Sequence, residues 1–280
     1  MYRQNKIRKM LTSIGIATLI ASLFVIVLMG MTNTAHAEEA LEIMKKSDER
    51  YVGDTFTRDM TMILIDKNNN KRTRKLRLTG KNSASVDKTL SVFLSPADVK
   101  NTTFMSFDWS DPSKEDNSWL YLPSLRKVKR VPASDKSGAF LGSDFTYSDI
   151  EGVEVSRYDY KILKPSVTIN GAECWLIERT PKNKLRKQII KETGYSKTNL
   201  WVRKDNYMVV QSKGWFKSNK IKYFKISEIK TIANIDTEIK MQMITTKGRK
   251  VLHKTLLLTD NNIYNLAVDD QVFTTRAMGK

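Results

Sequence analysis

Cysteine is nearly missing from this 280-residue chain: Cys174 stands alone. One thiol permits no internal disulfide, so burial of apolar surface must hold the fold. It also leaves no cysteine near the N-terminus to carry acyl groups. Cys174 lies between Glu173 and Trp175 in a strand-like run and reads as a small buried hydrophobe. Histidine is as scarce, with only His36 and His253, the latter in another strand-like run that suits a sheet residue better than a base. No G-x-S-x-G elbow, P-loop, dinucleotide fingerprint or metal-ligand pair occurs, so no cofactor and no metal is expected. A carboxylate-only glycosidase needs two acids whose separation a sequence does not reveal. The balance favours a binding protein over an enzyme. Zinc-finger, helix-turn-helix and RNA-reading patterns are missing too, which removes nucleic acid as the expected partner of a basic chain.

What is present begins at the N-terminus. Arg3, Lys6, Arg8 and Lys9 precede an apolar run over 10–31, and Ala35-His36-Ala37 follows as a small-x-small site. Residues 1–37 therefore read as a signal peptide cleaved after Ala37, placing the rest in the periplasm. The alternative is an uncut anchor, because the run approaches the ~20 residues that span a bilayer. That anchor would hold a periplasmic domain at the inner membrane. Residues 38–280 are read as one large β domain.

Acidic residues are outnumbered. The formal charge is +18, and removing the four leader cations leaves +14 on the remainder. Such an excess attracts anionic membrane surfaces or an acidic partner, although lysines dispersed in this way also suit a solvated surface.

Within 38–280 only one stretch has clear helical periodicity: 38–50, with Ala40, Ile43, Met44 and Ser47 on one face. Gly53 marks its end. Strand patterns follow at 56–66, 72–79, 89–94, 103–109, 119–122, 157–163, 174–180, 199–203, 208–215, 220–232, 235–245 and 250–258, separated by turns such as Asn170-Gly171. Segment 268–277 fits a short helix or a closing strand. Strands in succession without intervening helices predict a mainly β fold with a few helices, an antiparallel meander. A sheet this large must curl or be covered, and the first helix and the non-strand segment 132–152 are the available covers.

The most distinctive stretch runs from Phe104 to Gly152. It contains Trp119-Leu120-Tyr121-Leu122-Pro123, the basic run Arg126, Lys127, Lys129 and Arg130, and a Gly/Ser/Phe-rich stretch ending in Asp144-Phe145-Thr146-Tyr147-Ser148-Asp149-Ile150-Glu151-Gly152. With these residues the chain resembles the outer-membrane lipoprotein-sorting protein family of the LolA-like superfamily, over essentially all of 38–280. The resemblance implies an incomplete β-barrel with a helical and loop lid over a hydrophobic cavity. It further implies binding of lipid or lipoprotein acyl chains, transport between inner and outer membrane, and, for this branch, association with an inner-membrane exporter of the resistance-nodulation-division (MMPL-like) type. A monomer is expected. The chain is longer than the lipoprotein carrier proper and its signature differs, so apolar cargo in general is the firmer implication.

Candidate cavity residues are Met60, Met62, Leu76, Leu78, Phe104, Met105, Phe107, Trp119, Tyr121, Leu122, Phe140, Leu141, Phe145 and Trp175. Each also fits an ordinary core; the methionines suit variable apolar guests because thioether chains adapt. Arg126, Lys127, Lys129 and Arg130 form a candidate rim for head groups or an acidic partner, or a plain solvated face. Ala139-Phe140-Leu141, between Gly138 and Gly142, is expected as an exposed flap or connecting loop. Asp144, Asp149 and Glu151 match no calcium loop and are expected to cap helices and turns.

Overall fold

The computed structural model describes residues 37–111 and 113–279; the apolar leader and the first two residues of the Ala-His-Ala site lie outside them. The first helix, α1 (37–48), buries Ala40, Ile43 and Met44, the three-to-four spacing expected of a covering helix. Gly53 turns the chain with φ +91°, a conformation that L side chains resist.

Strands then follow one another: β1 (Thr55–Asp66), β2 (Lys71–Lys81), β3 (Val86–Ser95), β4 (Thr103–Trp109), β5 (Asn117–Leu122) and β6 (Lys127–Arg130). After a long crossover carrying α2 (Tyr147–Glu151) come β7 (Tyr158–Ile169), β8 (Ala172–Pro181), the helix α3 (Arg186–Thr193), β9 (Tyr195–Arg203) and β10 (Val209–Phe216). Finally come β11 (Lys220–Ile232), β12 (Ile235–Lys247) and β13 (Lys250–Tyr264).

All thirteen strands form one sheet, ordered β6-β5-β4-β3-β2-β1-β13-β12-β11-β10-β9-β8-β7. Every neighbouring pair is antiparallel. The meander is therefore unbroken except between β6 and β7, the two edges, which do not pair. The result is an incomplete barrel. Both edges discourage closure: β6 is four residues long and basic, and β7 carries Pro165 and two register shifts.

Alternation fixes two faces. The inner face carries Met60, Met62 and Leu64 of β1 and their cross-strand partners, among them Leu76, Leu257 and Thr255. Segment 131–157, joining the two edges, crosses over this face and drops Phe140 and Phe145 into its core.

Three local outcomes depart from the sequence reading. Helix α3 gave no signal because Ile189 and Ile190 are the only apolar residues in a polar octet; its recognisable marks are Leu185, Ile189 and Thr193 at four-residue spacing and Gly194 ending it at φ +81°. The basic run turns out to contain an edge strand, β6. Segment 268–277 forms neither an α-helix nor a strand: it is a 3₁₀ turn at Asp270–Val272 followed by further turns.

Candidate functional site: a latched lid on an apolar inner face

Apolar side chains from seven strands converge on the inner face: Met60, Met62 and Leu64, Leu76, Phe93, Phe104, Met243 and Leu257, with Phe224 at the margin. Phe140 sits among them, 1 % exposed. Its ring meets Phe104 edge-on at 5.3 Å and lies 6.1 Å from Phe93, a favoured aromatic arrangement. Phe145 packs against Phe224 at 6.4 Å. The expected exposed flap is thus the reverse: its phenylalanine is a plug.

A tight reversal explains how two phenylalanines five residues apart both enter the sheet. Leu141 and Gly142 adopt φ of +47° and +78°, and the Phe140 amide donates to the Phe145 carbonyl at 2.8 Å. Thr146 then begins α2 with a reciprocal cap: its hydroxyl accepts from the Asp149 amide at 3.0 Å while Asp149 accepts from the Thr146 amide at 2.8 Å.

Polar side chains of the inner face hold this segment down. Arg74 donates to the Leu141 carbonyl at 2.5 Å. Lys222 donates to the Asp144 carbonyl at 2.5 Å and stands 3.8 Å from the Asp149 carboxylate, its ammonium 4.4 Å from the Phe216 ring centroid. The buried Asp144 carboxylate accepts from the Thr245 hydroxyl at 2.5 Å and the Thr255 hydroxyl at 2.8 Å, with His253 at 3.4 Å. Tyr195 donates to Asp149 at 2.9 Å, and Lys136 pairs with Glu151 at 2.5 Å.

Electrostatics follow from depth. Burial pulls the Lys222 ammonium below the usual lysine range, a shift that Asp149 and Asp144 oppose. Burial pushes Glu151 up against the pull of Lys136. Tyr195, buried and facing Asp149, is held well above the ordinary phenol value. Asp144, Asp149 and Glu151 therefore each have an identified protein partner: hydroxyls, a helix cap with a phenol, and a lysine.

The space left open is mostly polar. A 170 Å³ gap beside Phe145 is lined by Leu200, Phe224, Met243 and Tyr195, below the ~300 Å³ at which ligand pockets begin. A 500 Å³ cleft by the Lys136–Glu151 pair and a 720 Å³ cleft lined by Asp48, Asp87, Asp108 and Glu154 are open and hydrophilic. In the second, Asp108 is pushed up to about 7, first by burial and then by Asp116.

The candidate residues divide by strand parity. Met60, Met62, Leu76, Leu78, Phe104, Phe140, Leu141 and Phe145 share the inner core, and Leu122 lies on the same face. Trp175 is also on the inner face, but under α1, stacked on Tyr207 at 5.7 Å. Met105, Phe107, Trp119 and Tyr121 point the other way. They form an outer-face cluster covered by Phe273 and Met278 of the C-terminal segment. Arg126, Lys127, Lys129 and Arg130 are exposed along the β6 edge, with Arg130 paired to Glu115 at 3.0 Å. Sequence reasoning missed Arg74, Lys222, Thr245 and Thr255 as latch residues. The available signal was a cation or hydroxyl at an inward position between apolar neighbours, as Arg74 is before Leu76 and Leu78.

Comparison with known proteins places this geometry. A family model described only as "Uncharacterized protein" matches residues 85–280. A crystal structure from Vibrio parahaemolyticus, described as an outer membrane lipoprotein-sorting protein domain, is 27% identical with a TM-score of 0.76, covering 87% of this chain and 100% of that one. A DUF1329 family protein from Desulfovibrio piger is 25% identical with a TM-score of 0.76, covering 87% and 99%. At 16% identity a LolA superfamily protein from Nitrosomonas europaea shares the fold, with a TM-score of 0.60 over 85% of this chain and 98% of that one. No curated protein matches the chain. The chain belongs to the family that this model describes, and its structural neighbours are outer-membrane lipoprotein-sorting and DUF1329 family proteins on a LolA-like fold.

Proposed function

We propose that the protein is an exported periplasmic carrier that binds acyl chains of lipids or lipoproteins on its inner face after segment 131–157 lifts, acting by binding and not by catalysis. One observation carries this reading. Phe140 and Phe145 lie where an acyl chain would lie, against the methionines Met60, Met62 and Met243, and discrete polar contacts hold their segment in place. Each aromatic withdrawn from the core forfeits about 1.5–3 kcal/mol of burial. Cargo entering behind it would restore that burial, so the latches set the threshold for opening. Flexible thioethers suit a face that must accept either rings or chains.

The lipoprotein-sorting description of the Vibrio relative supports this choice of cargo class. The exposed cations Arg126, Lys127, Lys129 and Arg130 would receive head groups or an acidic docking surface at the sheet edge. The expected partner is an inner-membrane transporter of the resistance-nodulation-division (MMPL-like) type, met by a monomeric carrier. A leader left uncut would hold the same domain beside that transporter. Among the described residues no helix is long and apolar enough to cross a membrane.

Delipidated protein titrated with a dansylated fatty acid tests the proposal. Saturable binding is expected, strengthened in Asp144→Ala, where the lid loses its carboxylate anchor. Wild type and Asp144→Ala that both ignore the probe while remaining folded would overturn it.

A further inference from the structure

The lid, the helices and the C-terminal segment leave one large surface of the sheet uncovered: the outer face from β9 across β10 to β13 and on to β1 and β2. Cross-strand pairing orders its side chains in rows. One row reads Lys197, Trp215, Ile221, Thr246 and Val251. The next reads Lys213, Tyr223, Ile244, Lys254, Ile65 and Lys71. A third adds Lys225, Leu256 and Ile63 among neutral polar residues. Not one of these outer-face positions is acidic. Two are apolar and openly exposed, Val251 at 53 % and Tyr223 at 37 %. At the end of the β12–β13 hairpin the face continues into Lys247, Arg249 and Lys250, all exposed.

The aromatics are held in a defined pose. Lys197 and Lys213 sit over the Trp215 ring at 4.4 and 4.9 Å from its centroid, and Lys213 reaches Tyr223 at 5.9 Å. These contacts hold two ammonium groups against the Trp215 ring. Among the described residues the acid paired with this array is Glu178, beside Lys197 at 3.0 Å. At the opposite end of the strands lies the cleft of Asp48, Asp87 and Asp108, so the molecule is polarised along the strand direction.

We infer that this outer face docks onto an anionic phospholipid bilayer, its lysines meeting phosphate groups and Trp215, Tyr223 and Val251 entering the head-group layer. Amphipathic aromatics and lysines favour that boundary, and each lysine near an anionic surface raises affinity about fivefold. A second copy of the chain is the poorer occupant, because two such faces repel one another. The inference is independent of cargo: it concerns where the protein stands, on the face opposite the lid.

Co-sedimentation with mixed phosphatidylglycerol–phosphatidylethanolamine vesicles tests it, with phosphatidylcholine vesicles for comparison. Wild type should bind the anionic vesicles, release with rising salt and ignore the neutral ones. The triple variant Lys213→Glu, Lys225→Glu, Lys254→Glu should lose about a hundredfold in affinity. Reversing Lys182, Lys184 and Lys187, exposed in and just before α3, to Glu changes net charge equally and should leave binding nearly intact. Brominated lipid should quench tryptophan fluorescence in wild type and much less in Trp215→Phe, a single change that keeps the test valid if the triple variant misfolds. Equal losses in both triple variants would reduce the effect to net charge and overturn the inference. So would wild type that ignores anionic vesicles, or a dimer in the absence of lipid that the outer-face reversals dissolve.

Discussion

The inner face has two covers, and they are built differently. Over β7–β9 lie α1 and α3, whose Ala40, Ile43, Met44 and Ile189 join Tyr158, Tyr160, Ile177, Leu200 and Val202 in one apolar cluster. Helical spacing alone delivers those contacts. Over β1–β4 and β11–β13 lies the 131–157 segment, which contributes Phe140 and Phe145 with Val131, Leu141, Tyr147 and Ile150 packed beside them, and is held besides by polar contacts from Arg74, Lys222, Thr245, Thr255 and Tyr195. Charge-assisted hydrogen bonds contribute about 1.5–3 kcal/mol each and depend on geometry, whereas apolar burial is non-directional. The helical cover is therefore part of the global fold. The proposed carrier requires the segmental cover to separate from it.

The largest expected effect tests that contrast directly. Ile177 is fully buried under the helices, and Ile177→Ala should remove about 2–5 kcal/mol of global stability in urea unfolding. Phe140→Ala deletes a larger side chain and in an ordinary core would cost about 3–5 kcal/mol. Under a separable lid it should lower the global midpoint less than Ile177→Ala and raise acyl-probe affinity. Equal losses of stability with unchanged probe binding would erase the distinction between the covers.

Next comes the latch. Asp144→Ala leaves the Thr245 and Thr255 hydroxyls without their carboxylate and should destabilise the lid by about 1.5–3 kcal/mol. Hydrogen exchange should then accelerate at the 140–150 amides and stay unchanged in α1 and α3. Acceleration throughout the sheet would mean that the lid is an integral part of the core.

How much of this was legible in the sequence follows the same division. Period-two alternation in β1 and β2 and the three-to-four spacing of Ala40, Ile43 and Met44 announced the sheet and its first cover, because one-sided burial writes itself into the chain. The cover at 132–152 was recognisable by its lack of strand pattern. Which apolar residues share a face was not. Trp119 and Leu120 are both apolar, and only the register with β4, pairing Leu120 to Phe104 and Trp119 to Met105, sends them to opposite sides. The outer cluster exists because Phe273 and Met278, well over a hundred residues later, come to cover it. Latch residues were harder still: Asp144 and its hydroxyl partners Thr245 and Thr255 are brought together by the meeting of β12 and β13 under a loop, a contact with no local signature.

The smallest expected effect lies where the two covers meet. The cleft between the end of α1 and the end of the lid is lined by Asp48, Asp87, Asp108, Val153 and Glu154. Asp108 is raised to about 7 by burial and by Asp116, and burial raises Asp48 and Asp87 as well. A carboxyl whose folded-state pKa exceeds its unfolded value holds more protons when folded, so its stabilising contribution is complete below pH 3.8 and is lost as pH rises to about 7. The junction should accordingly tighten on acidification from pH 8 to pH 5. Because the cleft is open to solvent, the gain should be on the order of 1–2 kcal/mol. Asp108→Asn should supply that stability at pH 8 and flatten the pH dependence between 5 and 8. If thermal midpoints of wild type and Asp108→Asn instead ran parallel over this range, the acidic cleft would be ordinary solvated surface, and the two covers would meet without an ionisable seam between them.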